Sequence, residues 1–449
     1  MQKLFGTDGI RGVAGEPPLD ARSIYAVGRA LGEFLQRRGS RGNVLLGEDT
    51  RESSPWVTSY LAGGLQAGGA KAVSAGVLPT PGVAHLVRAR NFLAGVMVSA
   101  SHNPYRDNGI KLIAPTGTKF PDETEAELED LIHRFLAGDC EPHAAAPPAD
   151  LSLVAAYADG LRARAGGDLK GLHLVMDCAN GAATRVAPAL FRSLGAGVTA
   201  IHAAPDGRNI NAHCGALHPE VMRKKVSEVG ADLGVAFDGD ADRAIFATRA
   251  HQIVDGDAVL LIAARWLKQH GKLRGNTVVG TVMSNLGLEV ALRPLGIKLA
   301  RAPVGDRYVF EEMDRLGANL GGEQSGHIIF LDDAPTGDGL LTALKICGII
   351  RATGRSLGEL AADVKPFPQV LVNISVRERI PFEQLPAVQE CIQEASAALG
   401  DRGRILVRYS GTELLARVMV EAELQADVER WSTHIATSIR KTIGRIEGN

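Results

Sequence analysis

Asp238-Gly239-Asp240-Ala241-Asp242-Arg243 sets three carboxylates at i, i+2 and i+4 directly behind the apolar run 233–237. At a strand end this spacing crowds several negative charges together, which raises the carboxyl pKa values and destabilises the loop unless a cation lies between them. Oxygen ligands alone suit a hard ion, magnesium before calcium, with positions left open for water or phosphate. An EF-hand is excluded, since its sixth position needs Gly and its twelfth Glu, where Arg243 and Arg249 stand. A solvated acidic turn is the alternative. The apolar lead-in, the small intervening residues and the adjacent Arg243 favour the cation site.

A second loop, Val98-Ser99-Ala100-Ser101-His102-Asn103-Pro104, runs on through Asp107-Asn108-Gly109-Ile110-Lys111. It follows an apolar stretch and contains Asn-Pro and Asn-Gly, both turn-forming pairs. Ser101, His102 and Lys111 are therefore expected at a strand end rather than packed inside, where open α/β sheets place ligands. A serine hydroxyl can accept and return a phosphoryl group when a cation stabilises the charge and a base manages the proton. A serine capping its own backbone is the alternative. The G-x-S-x-G elbow of hydrolases is absent.

Three further loops are candidates. Gly6-Thr7-Asp8-Gly9-Ile10-Arg11-Gly12 is neither a dinucleotide fingerprint nor a Walker loop. It reads as an N-terminal turn, whose Arg11 matters only if folding brings it to the other loops. In Gly321-Gly322-Glu323-Gln324-Ser325-Gly326-His327, glycines leave room for a polyhydroxylated ligand. There Glu323 can accept hydrogen bonds from sugar hydroxyls or an amine, and His327 can shuttle protons; a surface glycine loop is the alternative. Arg408-Tyr409-Ser410-Gly411-Thr412-Glu413, followed by Arg417, offers hydroxyls, backbone N–H groups and guanidinium forks, a phosphate cradle on a domain able to close over substrate.

Positioning these loops requires several domains. At 449 residues the chain exceeds one hydrophobic core, and about three or four domains are expected. Strand-like runs at 43–47, 93–98, 172–176, 231–237, 277–281 and 327–331 alternate with helical stretches, the pattern of α/β units. Breaks fall at the Pro/Ala-rich stretch 141–148, near 250–252 and at Pro366-Phe367-Pro368. The domains are thus 1–150, 151–250, 251–365 and 366–449. The first three read as variations on one strand–loop–helix theme, and the last as a small α+β domain.

Composition narrows the class. The apolar fraction is 45% and the charged fraction 22%, with a net charge of −2 and both signs mixed throughout. No basic stripe argues for nucleic acid and no polybasic run for a membrane. The longest apolar runs, such as 258–264, are too short to span a bilayer, and no signal peptide opens the chain. Five cysteines without a C-x-x-C pattern point to a reducing cytoplasmic setting.

Occurring together and in this order, the Ser-His-Asn-Pro, Asp-Gly-Asp-Ala-Asp-Arg, Gly-Glu-Gln-Ser-Gly-His and Arg-Tyr-Ser-Gly-Thr-Glu segments resemble the α-D-phosphohexomutase superfamily. The 4–12 segment, Ser99-Ala100 ahead of the serine, Thr281-Val282-Met283-Ser284-Asn285-Leu286-Gly287 and the total length resemble its bacterial branch acting on glucosamine phosphates. The resemblance implies four domains around a central cleft, three related α/β domains with mixed sheets and a smaller C-terminal α+β domain. It implies that Ser101 is phosphorylated and that Asp238, Asp240 and Asp242, with a Ser101 phosphate oxygen, bind Mg2+, Arg243 lying beside them. His102, Lys111, Arg11 and His327 would flank the transfer site, Lys111 handling a proton with Arg11. Glu323 and Ser325 would read the sugar, and Arg408, Ser410, Gly411, Thr412 and Arg417 the distal phosphate. Leu414 departs from the family, many members having Pro there.

The implied activity interconverts glucosamine 6-phosphate and glucosamine 1-phosphate through glucosamine 1,6-bisphosphate, feeding nucleotide-sugar and cell-wall precursor synthesis. A homodimer is also implied, relatives often being dimers. Hexose-phosphate specificity, as in phosphomannomutases and phosphoglucomutases, is the rival within the same chemistry. A non-catalytic sugar-phosphate sensor is the rival outside it, and a magnesium-dependent phosphatase is weaker, since Ser101 would be an odd nucleophile where water must be admitted.

Overall fold

The computed structural model describes residues 3–6, 8–39, 42–138, 140–145, 147–410 and 414–445. The chain divides into two compact units, Met1–Met283 with Ile297–Ala362, and Ser284–Gly296 with Asp363–Asn449. No helix among the described residues is long and apolar enough to cross a membrane.

The first unit holds three mixed sheets. The first contains β1 (Ile10–Val13), β2 (Asn43–Glu48), β3 (Lys71–Val77), β4 (Ala94–Val98) and β5 (Asp107–Ile113), in the order β1-β5-β4-β2-β3. The second contains β6 (His173–Asp177), β7 (Gly197–Ile201), β8 (Leu233–Phe237), β9 (Ala244–Thr248) and β10 (Ile253–Val254), in the order β10-β9-β8-β6-β7. The third contains β11 (Thr277–Thr281), β12 (Lys298–Ala302), β13 (Leu320–Gly322) and β14 (Ile328–Phe330), in the order β12-β11-β13-β14. Strands buried on both faces read as continuous apolar runs, and β4 and β8 are buried at every residue.

One plan underlies all three sheets. Three strands run parallel (β3-β2-β4, β7-β6-β8, β12-β11-β13), and an antiparallel strand (β5, β9, β14) then pairs with the last of them. The serine, acidic and glycine-rich loops are the three equivalent connections, β4 to β5, β8 to β9 and β13 to β14. The fold therefore delivers the candidate chemistry from the same place in each domain.

Two expectations are corrected. The N-terminal motif is not merely a turn, because Ile10–Val13 pairs with β5 and sets Arg11 opposite Gly109. Asn108-Gly109 is not a turn but part of β5. A Cβ on Gly109 would come 2.6 Å from Ser99 O, so glycine permits a close backbone approach there. The two-residue strand β10 pairs back onto β9 at the edge of the second sheet.

The second unit is a three-stranded antiparallel sheet, β15 (Gln369–Ser375), β16 (Gly403–Tyr409) and β17 (Leu415–Ala422), in the order β15-β17-β16. The helices Pro386–Leu399 and Gln425–Ile443 bury Val388, Trp431 and Ile435 in a core with Ile374 and Val418. The helix Leu286–Leu292 lies between β11 and β12 in sequence but belongs to this unit. Leu286 N donates to Glu421 Oε1 at 3.2 Å and Phe367 N to Asn285 Oδ1 at 2.8 Å.

Candidate active site

Ser101 opens the loop after β4 and is buried, with a φ of +50°. Its Oγ donates to Asp238 Oδ2 at 2.6 Å and lies 3.3 Å from His102 Nδ1. Asp238, Asp240 and Asp242 each present an oxygen within 4.8 Å of the others'. Burial, with Asp242 and Asp240 adding to it, pushes the Asp238 carboxyl well above the usual carboxylate range. Asp240 behaves oppositely. Burial works against its charge, but Lys111 Nζ at 2.9 Å and Thr80 Oγ1 at 2.6 Å hold its carboxyl below that range. The second oxygens, Asp240 Oδ1 and Asp242 Oδ1, are buried and accept no hydrogen bond among the described residues. Orphaned buried acceptors of this kind are costly. An oxygen-only donor set with two unused carboxylate oxygens fits a hard divalent cation.

Lys111 was expected in a loop and is instead buried within β5. Burial opposes its charge, yet Asp240, Asp8 at 3.1 Å and Asp242 at 3.9 Å raise its pKa above the ordinary lysine value. Asp8 also pairs with Arg11, and with Lys119, which reaches Asp306 at 2.9 Å. Arg11 NH1 donates to Asn103 Oδ1 at 3.3 Å. Burial, then Arg243 and Arg11, push His102 down to about 4, so it is a neutral base at pH 7.

His327 is buried with Nδ1 3.6 Å from Asp242 Oδ2. Asp242 works against burial to raise its pKa to about 9, but Gly337 N donates to His327 Nε2 at 3.1 Å. An imidazole nitrogen that accepts a hydrogen bond carries no proton, so the ring is neutral with its proton on Nδ1. Glu323 Oε1 accepts from Gly305 N at 3.0 Å, and Ser325 Oγ lies 3.5 Å from Glu323 Oε2. Arg11, Ser101, His102, Arg243, Glu323 and His327 line one cleft of about 620 Å3. That volume is ordinary for a small-molecule site.

The residues that prop the serine loop escaped the sequence reading. Arg51 is buried and paired with Asp49, whose Oδ2 also accepts from Ser99 Oγ at 2.6 Å. Arg51 NH2 and Asn211 Nδ2 both donate to the carbonyl oxygens of Ser101 and Asn103. Asn211 is held in turn by its N–H to Ala179 O at 2.9 Å. Asp177, His202 and Cys214 form a second cluster of ligand-type atoms nearby. The Asp177 oxygens already accept from Ala179 N at 2.9 Å and Gly215 N at 3.0 Å, so the cluster anchors the 209–215 segment. A polar pair at a strand end, Asp49-Thr50-Arg51 after β2, was the available signal.

In the second unit Arg408 and Arg417 lie directly opposite across β16 and β17. Burial, and then the Arg417 charge, lower the Arg408 pKa. Like charges placed opposite in an antiparallel pair destabilise it, which an anion between them relieves. Ser410 N donates to Leu415 O at 2.8 Å. Gly411 and Thr412 lie outside the described residues.

Four family models match successive parts of the chain. They are phosphoglucomutase/phosphomannomutase alpha/beta/alpha domain I over residues 2–136, domain II over 155–251, domain III over 255–367 and the C-terminal domain over 371–438. Two curated relatives are the phosphoglucosamine mutases of Koribacter versatilis, 51% identical, and Solibacter usitatus, 52% identical. They cover 99% and 98% of this chain and 98% and 99% of their own lengths. A crystal structure of a phosphoglucomutase/phosphomannomutase family protein from Burkholderia thailandensis is similar, with a TM-score of 0.79 and 25% identity over 99% of this chain and all of that one. The fold is also that of Aspergillus fumigatus N-acetylphosphoglucosamine mutase solved with GlcNAc-6P and magnesium, with a TM-score of 0.68 and 20% identity over 98% and 96% of the two chains.

Proposed function

The chain belongs to the phosphoglucomutase/phosphomannomutase family, in its phosphoglucosamine mutase branch, and we propose that it interconverts glucosamine 6-phosphate and glucosamine 1-phosphate through a phosphoserine at Ser101. It is an enzyme of phosphoryl transfer, an isomerase in net effect. The observation that carries the reading is Ser101 Oγ, 2.6 Å from Asp238 Oδ2 on the lining of the cleft.

In the forward direction the P–Oγ bond of phosphorylated Ser101 breaks as the free 1-hydroxyl of glucosamine 6-phosphate bonds to phosphorus, giving glucosamine 1,6-bisphosphate. The hydroxyl proton passes to neutral His102, which returns it to the departing Ser101 Oγ, 3.3 Å from Nδ1. Lys111, held as a cation by Asp240 and Asp8, offsets with Arg11 the charge on the transferring group. The bisphosphate turns over within the cleft, and Ser101 Oγ then bonds to the phosphorus of its 6-phosphate as the P–O6 bond breaks, the Ser101 proton passing through His102 to O6 to give glucosamine 1-phosphate.

Asp238, Asp240 and Asp242, completed by a phosphate oxygen on Ser101, are the residues that would hold Mg2+, with Arg243 beside them. A bound magnesium ion supplies positive charge against the oxygens of the transferring phosphoryl group. Glu323 and Ser325 read the sugar and His327 orients Asp242, while Arg408, Ser410, Gly411, Thr412 and Arg417 take the phosphate that is not reacting. Free thiols at all five cysteines support a cytoplasmic setting.

Two measurements test the assignment. Intact-mass spectrometry after incubation with glucosamine 1,6-bisphosphate should show one phosphoryl adduct that is absent in Ser101→Ala; no adduct on the native protein removes Ser101 from its role. The ratio kcat/KM should favour glucosamine 6-phosphate over glucose and mannose 6-phosphates. Preference for either hexose phosphate would overturn the amino-sugar substrate.

A further inference from the structure

A pocket of about 360 Å3 opens where the helix Thr80–Ala89, the helix Leu151–Arg162 with Arg164 beyond it, and the segment 331–338 converge. It shares no lining residue with the cleft at Ser101. Neither of its arginines forms an ion pair with a carboxylate of the pocket wall among the described residues. The Arg88 side chain makes no ion pair or hydrogen bond among the described residues, and the one side-chain hydrogen bond of Arg164 goes to a backbone carbonyl, Gly160 O, at 2.6 Å. His85 contributes a ring 6.0 Å from that of Tyr157, with neither nitrogen hydrogen-bonded among the described residues. Burial, with Arg164 and Arg88, pushes this imidazole down to about 4, which fits two guanidinium groups facing it.

The acids on the pocket wall are already engaged. Asp332 pairs with Arg274 and accepts from Asn319 Nδ2 at 2.7 Å. Asp333 pairs with Lys345 at 2.9 Å. Asp338 lies in the field of Arg164 but accepts from Tyr157 OH at 2.9 Å and Leu341 N at 3.0 Å. Two arginines and a neutral histidine N–H remain to meet a ligand, and planar guanidinium forks are suited to phosphate oxygens.

Two walls of the pocket are bonded to the acidic loop. Thr80, at the start of the first helix, donates through N to Asp240 O at 3.0 Å and through Oγ1 to Asp240 Oδ2 at 2.6 Å. Asp338 caps the helix Gly339–Thr353, whose Gly339 N donates to Ala241 O at 3.1 Å. We propose that this pocket binds a small phosphorylated anion between Arg88 and Arg164, and that its occupancy is transmitted to the acidic loop through Thr80 and Gly339. The ligand's differential affinity for two positions of these helices would supply the coupling.

Inorganic phosphate is the probe, applied to the full-length protein. Amide hydrogen exchange should slow at 80–89, 157–164 and 331–341, and Arg88→Ala/Arg164→Ala should raise the half-maximal phosphate concentration at least about tenfold. At saturating sugar phosphate, inorganic phosphate should change kcat about twofold or more in the native enzyme and not in the double variant. Slowing confined to the Ser101 cleft, or equal midpoints in the two proteins, overturns the site. Slowing at the pocket with kcat unmoved overturns the coupling. Should the double variant not fold, Arg88→Glu at an exposed position makes the same comparison. The exchange readout needs no turnover, so its failure is distinct from failure of the proposed reaction.

Discussion

Arg51 and Asn211 come from different domains, yet each donates to the same two acceptors, the carbonyl oxygens of Ser101 and Asn103. Arg51 NH2 does so at 3.1 and 2.7 Å, and Asn211 Nδ2 at 2.8 and 3.0 Å. A left-handed φ such as the +50° of Ser101 costs a non-glycine residue about 1–2 kcal/mol. The double clamp offsets that cost and fixes where Oγ points. Truncating Arg51 would strand the buried Asp49, so Asn211→Ala is the cleaner probe. It should lower kcat about 10- to 100-fold while moving KM less than about threefold, since it disturbs alignment rather than substrate contacts. Steady-state kinetics decide this; a raised KM with kcat intact would make Asn211 a substrate ligand instead.

Asp238→Asn separates the metal site from the fold. Its amide can still accept from Arg243 N, as Asp238 Oδ1 does at 3.2 Å, and can donate to Ser101 Oγ. The change removes one of three clustered carboxylates, whose crowding together with burial holds the Asp238 carboxyl high even against Arg243 and the Ser101 hydroxyl. In EDTA the variant should be as stable as the native protein or more so, by about 1–3 kcal/mol. Titration calorimetry should find magnesium binding weakened at least about 100-fold. Unweakened binding would move the cation elsewhere.

The pieces that were legible in the sequence share one property: their chemistry is local. Asp238, Asp240 and Asp242 alternate within five residues behind an apolar strand, and the fold keeps them together wherever that strand goes. Ser101 and the 321–327 glycine loop are legible for the same reason. What stayed hidden depends on partners far apart in the chain. Lys111 reads as a loop residue until β5 pairs with β4 and carries it to Asp240. Asn108-Gly109 has turn chemistry, but the close approach of Ser99 O uses the missing side chain for packing. The helix Leu286–Leu292 is flanked by third-domain strands, and only its bonds to Glu421 and the 365–367 segment assign it to the last sheet's unit.

The cross-strand arginines make a test of the phosphate cradle. Arg408 and Arg417 face each other in register, so Arg408→Gln removes a like-charge repulsion in the free protein and an anion ligand in the complex. Thermal unfolding should be unchanged or slightly raised, within about 0.5 kcal/mol. KM for the sugar phosphate should rise about 10- to 100-fold, the loss of one charge-assisted contact. Phosphorylation of Ser101 by acetyl phosphate or a similar small donor, read by intact mass, should survive. A lost melting transition together with unchanged KM would mark Arg408 as structural.

The clearest pH signature lies away from the acidic loop, at Asp338. This residue is buried, caps the helix Gly339–Thr353 and accepts from Tyr157 OH. Burial pushes its carboxyl up to about 6, with the Leu341 N–H and the Tyr157 hydroxyl drawing it partly back. In an unfolded chain the value is about 3.9. A raised folded pKa means the native state holds the proton more tightly, so the stabilisation is complete below about pH 4 and lost as pH rises through about 6. The gap corresponds to about 3 kcal/mol. Asp338→Asn presents a neutral amide that still accepts from Leu341 N, and its stability should lack this dependence. Denaturant unfolding at pH 4, 5, 6 and 7 should therefore show the variant gaining on the native protein by about 2 kcal/mol across the series, since the unfolded carboxyl is already half ionised at pH 4. A difference that stays constant with pH would mean that Asp338 ionises in the native fold as it does in water.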